Sequence, residues 1–300
     1  MQQAARVKGP VVWLDMDQQE LDDAYDQPKY APNRDIIVKR RQWMSERVRK
    51  VIGAPQRVAY GPTEIETLDI YRAKSDRTNQ DNAPVNVFIH GGAWRSNKAA
   101  DYGLQAEMFV NAGAHYVIID FTNVDQTDGD LMPMYEQVRR AVAWVARNAK
   151  TFGGDPARLY LSGHSSGAHL GGCVLATGLA EEGLAPDAFK GAMLVSGMYD
   201  MKPVRMSKRS TYVKFTDEAE RKLSGQRHLA QITTPLILAH GTCETPEFMR
   251  QTRDFHAALQ AAGKPSELIV AEGYNHFELL ETMASPYGVL GREILRQMKL

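Results

Sequence analysis

Downstream of residue 56 the chain alternates short apolar runs with longer stretches of helical spacing; upstream of it the pattern is different. The apolar runs fall at 57–60, 66–71, 86–90, 116–120, 158–162, 193–196, 236–240 and 267–271. Each is short, and the later ones are separated by enough chain for a crossover helix, which predicts parallel strands buried on both faces. The clearest helix carries Tyr135, Val138, Val142, Val145, Ala149 and Phe152 at intervals of three or four, and Gly153, Gly154 and Pro156 end it. Right-handed crossovers then build an α/β fold, a doubly wound, mostly parallel sheet with helices on both faces. In such a sheet ligands bind beyond the carboxyl ends of the strands, so the chemistry is sought in the residues that follow each run.

The first 55 residues read as a helical arm packing on a body that spans 56–300. Asp17 with Glu20 has the spacing of a capping pair at a helix start. Ile36, Ile37, Trp43, Met44, Val48, Val51 and Ile52 form an interrupted apolar stripe expected to face the body. Lys39, Arg40, Arg41, Arg47, Arg49 and Lys50 lie opposite and are expected to be a solvated face. Between Ser196 and Pro235 the chain is too long for a simple crossover, so a small cap is expected at about 198–232. Its methionines and aromatics would serve either as local core or as a pliable pocket wall.

Composition narrows the function. Lys plus Arg and Asp plus Glu both number 36 in 300 residues, and this neutrality recommends neither nucleic acid nor an anionic membrane as partner. The N-terminus lacks an apolar run of signal-peptide length and no later stretch reads as a membrane helix, so a cytoplasmic protein is expected. A homodimer is compatible with the sequence. Both cysteines, Cys173 and Cys243, fall in segments expected to be buried or near the core, and no disulfide framework is implied.

The run at 158–162 leads directly into Gly163-His164-Ser165-Ser166-Gly167 and then a helix with Leu170, Val174 and Leu175 on one face. Strand, tight turn, helix is the setting of a nucleophile elbow. The serine sits on a strained turn, and glycines flank it because two backbones pass too closely for side chains. After the run at 86–90 come Gly91, Gly92, Ala93 and Trp94, whose backbone N–H groups could face a developing oxyanion, with the N–H of Ser166 as a further donor.

A serine nucleophile needs a base, and of eight histidines only His276 lies past the last predicted strand. No histidine has metal-ligand spacing, so neither metal nor other cofactor is expected. The loop after 236–240 offers Glu244 and Glu247 for the orienting acid. Thr245 as N-cap and Pro246 as first helical residue put Glu247 in a helix's first turn, where it suits the dipole without catalysis, leaving Glu244. The order Ser165, Glu244, His276 is that of nucleophile, acid and base in hydrolases.

With these residues in place the chain resembles the esterase and lipase branch of the α/β hydrolases, and within it the kynurenine formamidase (arylformamidase) group. The resemblance runs from about Tyr60 to the C-terminal helix. It rests on His90-Gly91-Gly92-Ala93-Trp94, on Phe152-Gly153-Gly154-Asp155, on Gly163 through His169, on Glu244 through Phe248, and on Asn275-His276-Phe277. It implies the α/β-hydrolase fold and a serine hydrolase that cleaves a small-molecule carboxylic ester through an acyl-enzyme, or else an N-formyl or N-acyl aromatic amide. Two departures stand out: the acid is usually aspartate in formamidases, and 121–130 lacks the Tyr-x-Leu-x-Pro type sequence common after that strand. A non-catalytic binding protein on this fold would be expected to lack a triad member, and none is missing here.

Overall fold

Side chains that alternate across each strand feed two apolar layers, one on either face of an eight-stranded sheet. The computed structural model describes residues 6–74 and 82–300. A short antiparallel hairpin comes first, β1 (Val11–Trp13) with β2 (Met16–Asp17). The sheet is built from β3 (Gln56–Ala59), β4 (Thr67–Tyr71), β5 (Ala83–Ile89), β6 (His115–Ile119), β7 (Gly154–His164), β8 (Phe189–Val195), β9 (Leu236–Gly241) and β10 (Ser266–Ala271). Its order is β10-β9-β8-β7-β5-β6-β4-β3, parallel except where β4 pairs antiparallel with β3 and β6.

On β5, Val87 and Ile89 point into one layer and Phe88 into the other; on β6, Val117 and Ile119 oppose Tyr116 and Ile118 in the same way. All are fully buried, each contributing about 1.5–3 kcal/mol of transfer free energy. These β-branched and aromatic residues leave the central strands no polar face, which is why the sheet must be covered twice.

Three helices precede the sheet: α1 (Gln18–Ala24), α2 (Gln27–Tyr30) and α3 (Arg34–Ile52). Asp17 and Glu20 form a full capping box on α1. The arm's long helix packs differently from its hydrophobic pattern. Ile36, Trp43 and Val51 are exposed, and the buried residues are Ile37, Arg41, Ser45 and Val48, an i, i+4, i+8, i+11 face. The reason is its partner, the 3₁₀ segment Ala99–Gln105, which presents backbone groups. Ser45 donates to the Asp101 carbonyl and accepts from the Leu104 N–H, and Arg49 donates to the Ala100 carbonyl. Arg41, expected in solvent, is therefore turned inward.

The helices that follow are α4 (Ala106–Ala112), α5 (Met132–Asn148), α6 (Ser166–Cys173), α7 (Leu179–Glu181), α8 (Met201–Met206), α9 (Asp217–Lys222), α10 (Pro246–Ala261), α11 (His276–Glu281) and α12 (Val289–Met298). Among the described residues no helix is long and apolar enough to cross a membrane. In the segment between β8 and β9, Met198, Tyr199, Met201 and Val204 join the main core, whereas Lys208, Arg209 and Tyr212 face a cavity. Cys173 is buried as expected, but Cys243 is exposed, because the turn after β9 carries it outward.

The arm is pinned by Tyr25, whose buried hydroxyl donates to Glu247 at 2.9 Å and accepts from Gln251 at 2.6 Å, both on α10. Tyr25→Phe should lower unfolding free energy in urea by about 1–3 kcal/mol, because it strips two buried polar groups of a partner. A loss below about 0.5 kcal/mol would show that the hydroxyl does not hold the arm.

Candidate active site

Ser165 occupies the turn between β7 and α6 with φ 57° and ψ −125°, a strained conformation for a residue with a side chain. Its N–H donates to the Val195 carbonyl at 2.9 Å, which fixes the turn on the neighbouring strand. The flanking glycines have no room for anything larger: a Cβ on Gly167 would lie 2.1 Å from the Ile89 carbonyl oxygen, and one on Gly163 would lie 2.7 Å from that of Gly167. The turn thus holds Ser165 against a cavity of about 280 Å³.

His276, the first residue of α11, lines the same cavity. Its Nδ1 donates to Glu244 Oε2 at 2.8 Å, leaving Nε2 as the unprotonated nitrogen of the neutral ring. No hydrogen bond joins that nitrogen to the Ser165 hydroxyl here, and contacts of this kind often close only with substrate in place. Asn275 caps α11 through the N–H groups of Phe277 and Glu278, which sets the position of the ring.

Glu244 is wholly enclosed. Besides His276 it accepts from the Ser196 hydroxyl at 2.6 Å, the Gly241 N–H at 2.7 Å and the Gln27 amide at 3.3 Å. Burial alone would raise its pKa; the His276 charge and the hydrogen bonds from His276, Gly241 and Ser196 outweigh that and hold it below the ordinary glutamate value. Glu247 plays another part than dipole complement. It is buried, paired with Arg250 at 2.6 Å and bonded to Tyr25. The structure thus separates the two glutamates by partner: one meets a histidine, the other an arginine.

The loop after β5 bends through Gly92 at φ 134°, where a Cβ would sit 2.1 Å from the Ser96 carbonyl oxygen. Ala93 and Trp94 follow at φ 54° and 64°. Gly91 rests on the elbow, its Cβ position 3.0 Å from that of Ser165. The N–H groups of Gly92, Ala93 and Ser166 donate to no protein acceptor among the described residues. Trp94 differs from the expectation of a free backbone donor. Its N–H is directed at the Ser166 hydroxyl at 3.3 Å, and its indole is buried in the core, donating to His169 Nδ1 at 3.2 Å. His169 is kept neutral by burial, with a pKa lowered to about 4. His164 sits beside Ser165 and bonds to the His276 carbonyl at 2.9 Å; burial, followed by the His276 charge, drives its pKa well down.

Four contributors escaped sequence reasoning: Gln27 and Ser196 on the carboxylate, and Arg41 and Arg209 in the cavity wall. Ser196 carried a signal, since it directly follows a strand end; Gln27 carried none, being separated from Glu244 by 217 positions. Among the described residues no group of histidines, cysteines and carboxylates has the arrangement of a metal site.

The BD-FAE family matches residues 68–193, a span that holds the glycine loop and the elbow but stops before Glu244 and His276. Kynurenine formamidase of Danio rerio is 30% identical over 297 residues, covering 95% of this chain and 98% of that protein. Isoprenylcysteine alpha-carbonyl methylesterase ICME of Arabidopsis thaliana is 27% identical, covering 74% of this chain and 56% of that protein. Among solved structures, a putative thioesterase from Silicibacter sp. superposes with a TM-score of 0.76 at 20% identity, covering 90% of this chain and 97% of that one, a likeness of fold.

Because Glu244 has a lowered pKa in the folded protein, it contributes stability that is fully present above its unfolded value, near 4.5, and is lost as pH falls through the folded value. The stability gap between the native chain and Glu244→Gln should therefore narrow between about pH 5 and pH 3 in urea titrations. A gap that stays constant over that window contradicts a charged, internally paired carboxylate.

Proposed function

We propose, from the premise that the chain belongs to the kynurenine formamidase family of α/β hydrolases, that it hydrolyses an N-formyl amide or a small ester of an aromatic compound through an acyl-enzyme on Ser165. The observation that carries this reading is the meeting, in one cavity, of a strained serine with a histidine whose far nitrogen is held by a buried carboxylate.

Ser165 Oγ attacks the carbonyl carbon while His276 Nε2 takes the hydroxyl proton. Glu244 stabilises the imidazolium and keeps the ring in the tautomer that can accept. The carbonyl oxygen becomes an oxyanion facing the free N–H groups of Gly92, Ala93 and Ser166, each worth about 3 kcal/mol in comparable sites. Collapse breaks the C–N or C–O bond, and His276 returns the proton to the departing amine or alkoxide. Water then attacks the acyl-enzyme by the same route and releases formate or the short acid. Water provides the hydroxyl of the released acid and, through His276, the proton that restores Ser165.

The sequence alone ranked the ester first. The near-complete length match to a formamidase, against a match to little more than half of the methylesterase, moves the formamide ahead. A cavity of about 280 Å³ suits one aromatic ring with a short acyl group. The two free cysteines suit the reducing cytoplasm, the compartment we assign.

Ser165→Ala should reduce turnover by about a thousandfold or more while leaving the unfolding midpoint nearly unchanged; a rate close to that of the native chain rules out the assignment. On the native enzyme, N-formylkynurenine should give a higher kcat/KM than phenyl acetate. If esters turn over and the formamide does not, the ester reading replaces it.

A further inference from the structure

Arg41 and Arg209 are each about 6% exposed, both line the cavity that holds Ser165 and His276, and neither has a carboxylate partner among the described residues. Burying a guanidinium without a counter-charge is costly, and side chains so placed are paired as a rule. Arg41 reaches only the Asn97 side chain, at 3.3 Å, and its Nε has no partner. Arg209 donates to the Tyr212 hydroxyl at 2.8 Å and the Tyr25 carbonyl at 3.1 Å, and its Nε is likewise unpartnered. The other cations of the wall do not share this state: Lys208 is paired with Asp26, and Arg34, half exposed, with Asp35. In a chain whose overall charge is zero, two uncompensated buried charges in the wall of one cavity mark a place for an anion.

The aromatic rings decide its shape. Tyr102 covers one face of Arg41 with the guanidinium carbon 4.3 Å from its centroid, and Tyr25, Trp94 and Phe248 surround that of Arg209 at 5.4–5.9 Å. Beside these rings the in-plane edge of each guanidinium, where N–H groups project in parallel, is where a planar carboxylate fits best. We propose that Arg41 and Arg209 receive a carboxylate on the substrate, so that the enzyme selects aromatic esters or formamides that carry one. This rests on the hydrolase reading of Ser165, and it assigns Arg41 and Arg209 to specificity, away from the bond being broken. It also accounts for the arm, since Arg41 comes from α3 and the carbonyl that holds Arg209 comes from Tyr25.

The test compares 3-acetoxybenzoate with 3-acetoxybenzamide, which share shape and differ in charge. The native enzyme should favour the acid by about tenfold or more in kcat/KM, chiefly through KM. Arg41→Gln and Arg209→Gln should each erode that ratio, and Arg209→Lys should keep part of it, because the charge stays and the fork is lost. A second measurement needs no variant: 3-hydroxybenzoate should inhibit the native enzyme at lower concentration than 3-hydroxybenzamide, and less so as salt rises. Equal kcat/KM for the two esters with equal inhibition overturns this inference and leaves the hydrolase reading intact. An unchanged ratio in both glutamine variants overturns it also. Hydrolysis of neither these esters nor N-formylkynurenine overturns the hydrolase reading and this inference together.

Discussion

A carboxylate placed beyond the reach of water is the constraint around which this molecule is organised. Glu244 can remain ionised only if the protein replaces its hydration, and it does so with donors from four separate parts of the fold. Gly241 comes from the end of β9, Ser196 from the end of β8, His276 from the start of α11, and Gln27 from the N-terminal arm. Each must be in position for the charge to be tolerated. The same interaction that fixes the carboxylate therefore fixes the ring of His276 and, through it, what the cavity can do. Ser196 reaches the carboxylate from a left-handed backbone at φ 52°, a second strained residue beside the one at Ser165. Strain of this kind persists only where surrounding contacts over-determine the conformation, and here the parallel strands and Glu244 supply them.

The sheet was legible because its central strands are buried on both faces, so they appear as short, nearly continuous apolar runs. The elbow was legible for a related reason: two backbones in contact admit only glycine, and Gly163 and Gly167 record that contact in the sequence. Helix α3 was misread on its exposed side. Its hydrophobic stripe predicts burial of Trp43 and Val51, but the surface it meets presents backbone groups, and polar residues such as Ser45 satisfy those better. A pattern rule that equates buried with apolar misses such an interface. Glu247 illustrates the complementary error, since helix position accounts for its residue type but not for the partly buried arginine and the buried tyrosine that hold it.

The residues beyond local reading share one property: they act across long sequence separations. Gln27 meets Glu244, Tyr25 meets Gln251, and Arg209 meets the Tyr25 carbonyl across 184 positions. No periodicity or motif encodes such contacts in a single sequence. Residues of the arm between Tyr25 and Arg41 also form part of the wall around Ser165. The arm supplies Arg41 as well, so the wall of the cavity is divided between the arm and the segment between β8 and β9, while Ser165 and Glu244 sit beyond the strand ends. That division lets specificity vary without disturbing the strand ends that hold Ser165 and Glu244.

The central claim is that Ser165 is a nucleophile activated by a His276 that Glu244 orients. Intact-mass analysis after exposure to a fluorophosphonate, followed by peptide mapping, tests it most directly. The account predicts one adduct per chain, on Ser165, forming slowly or not at all in His276→Ala and Glu244→Ala and at the native rate in Glu247→Ala. An adduct on another residue, or one that forms at the native rate without His276, contradicts it.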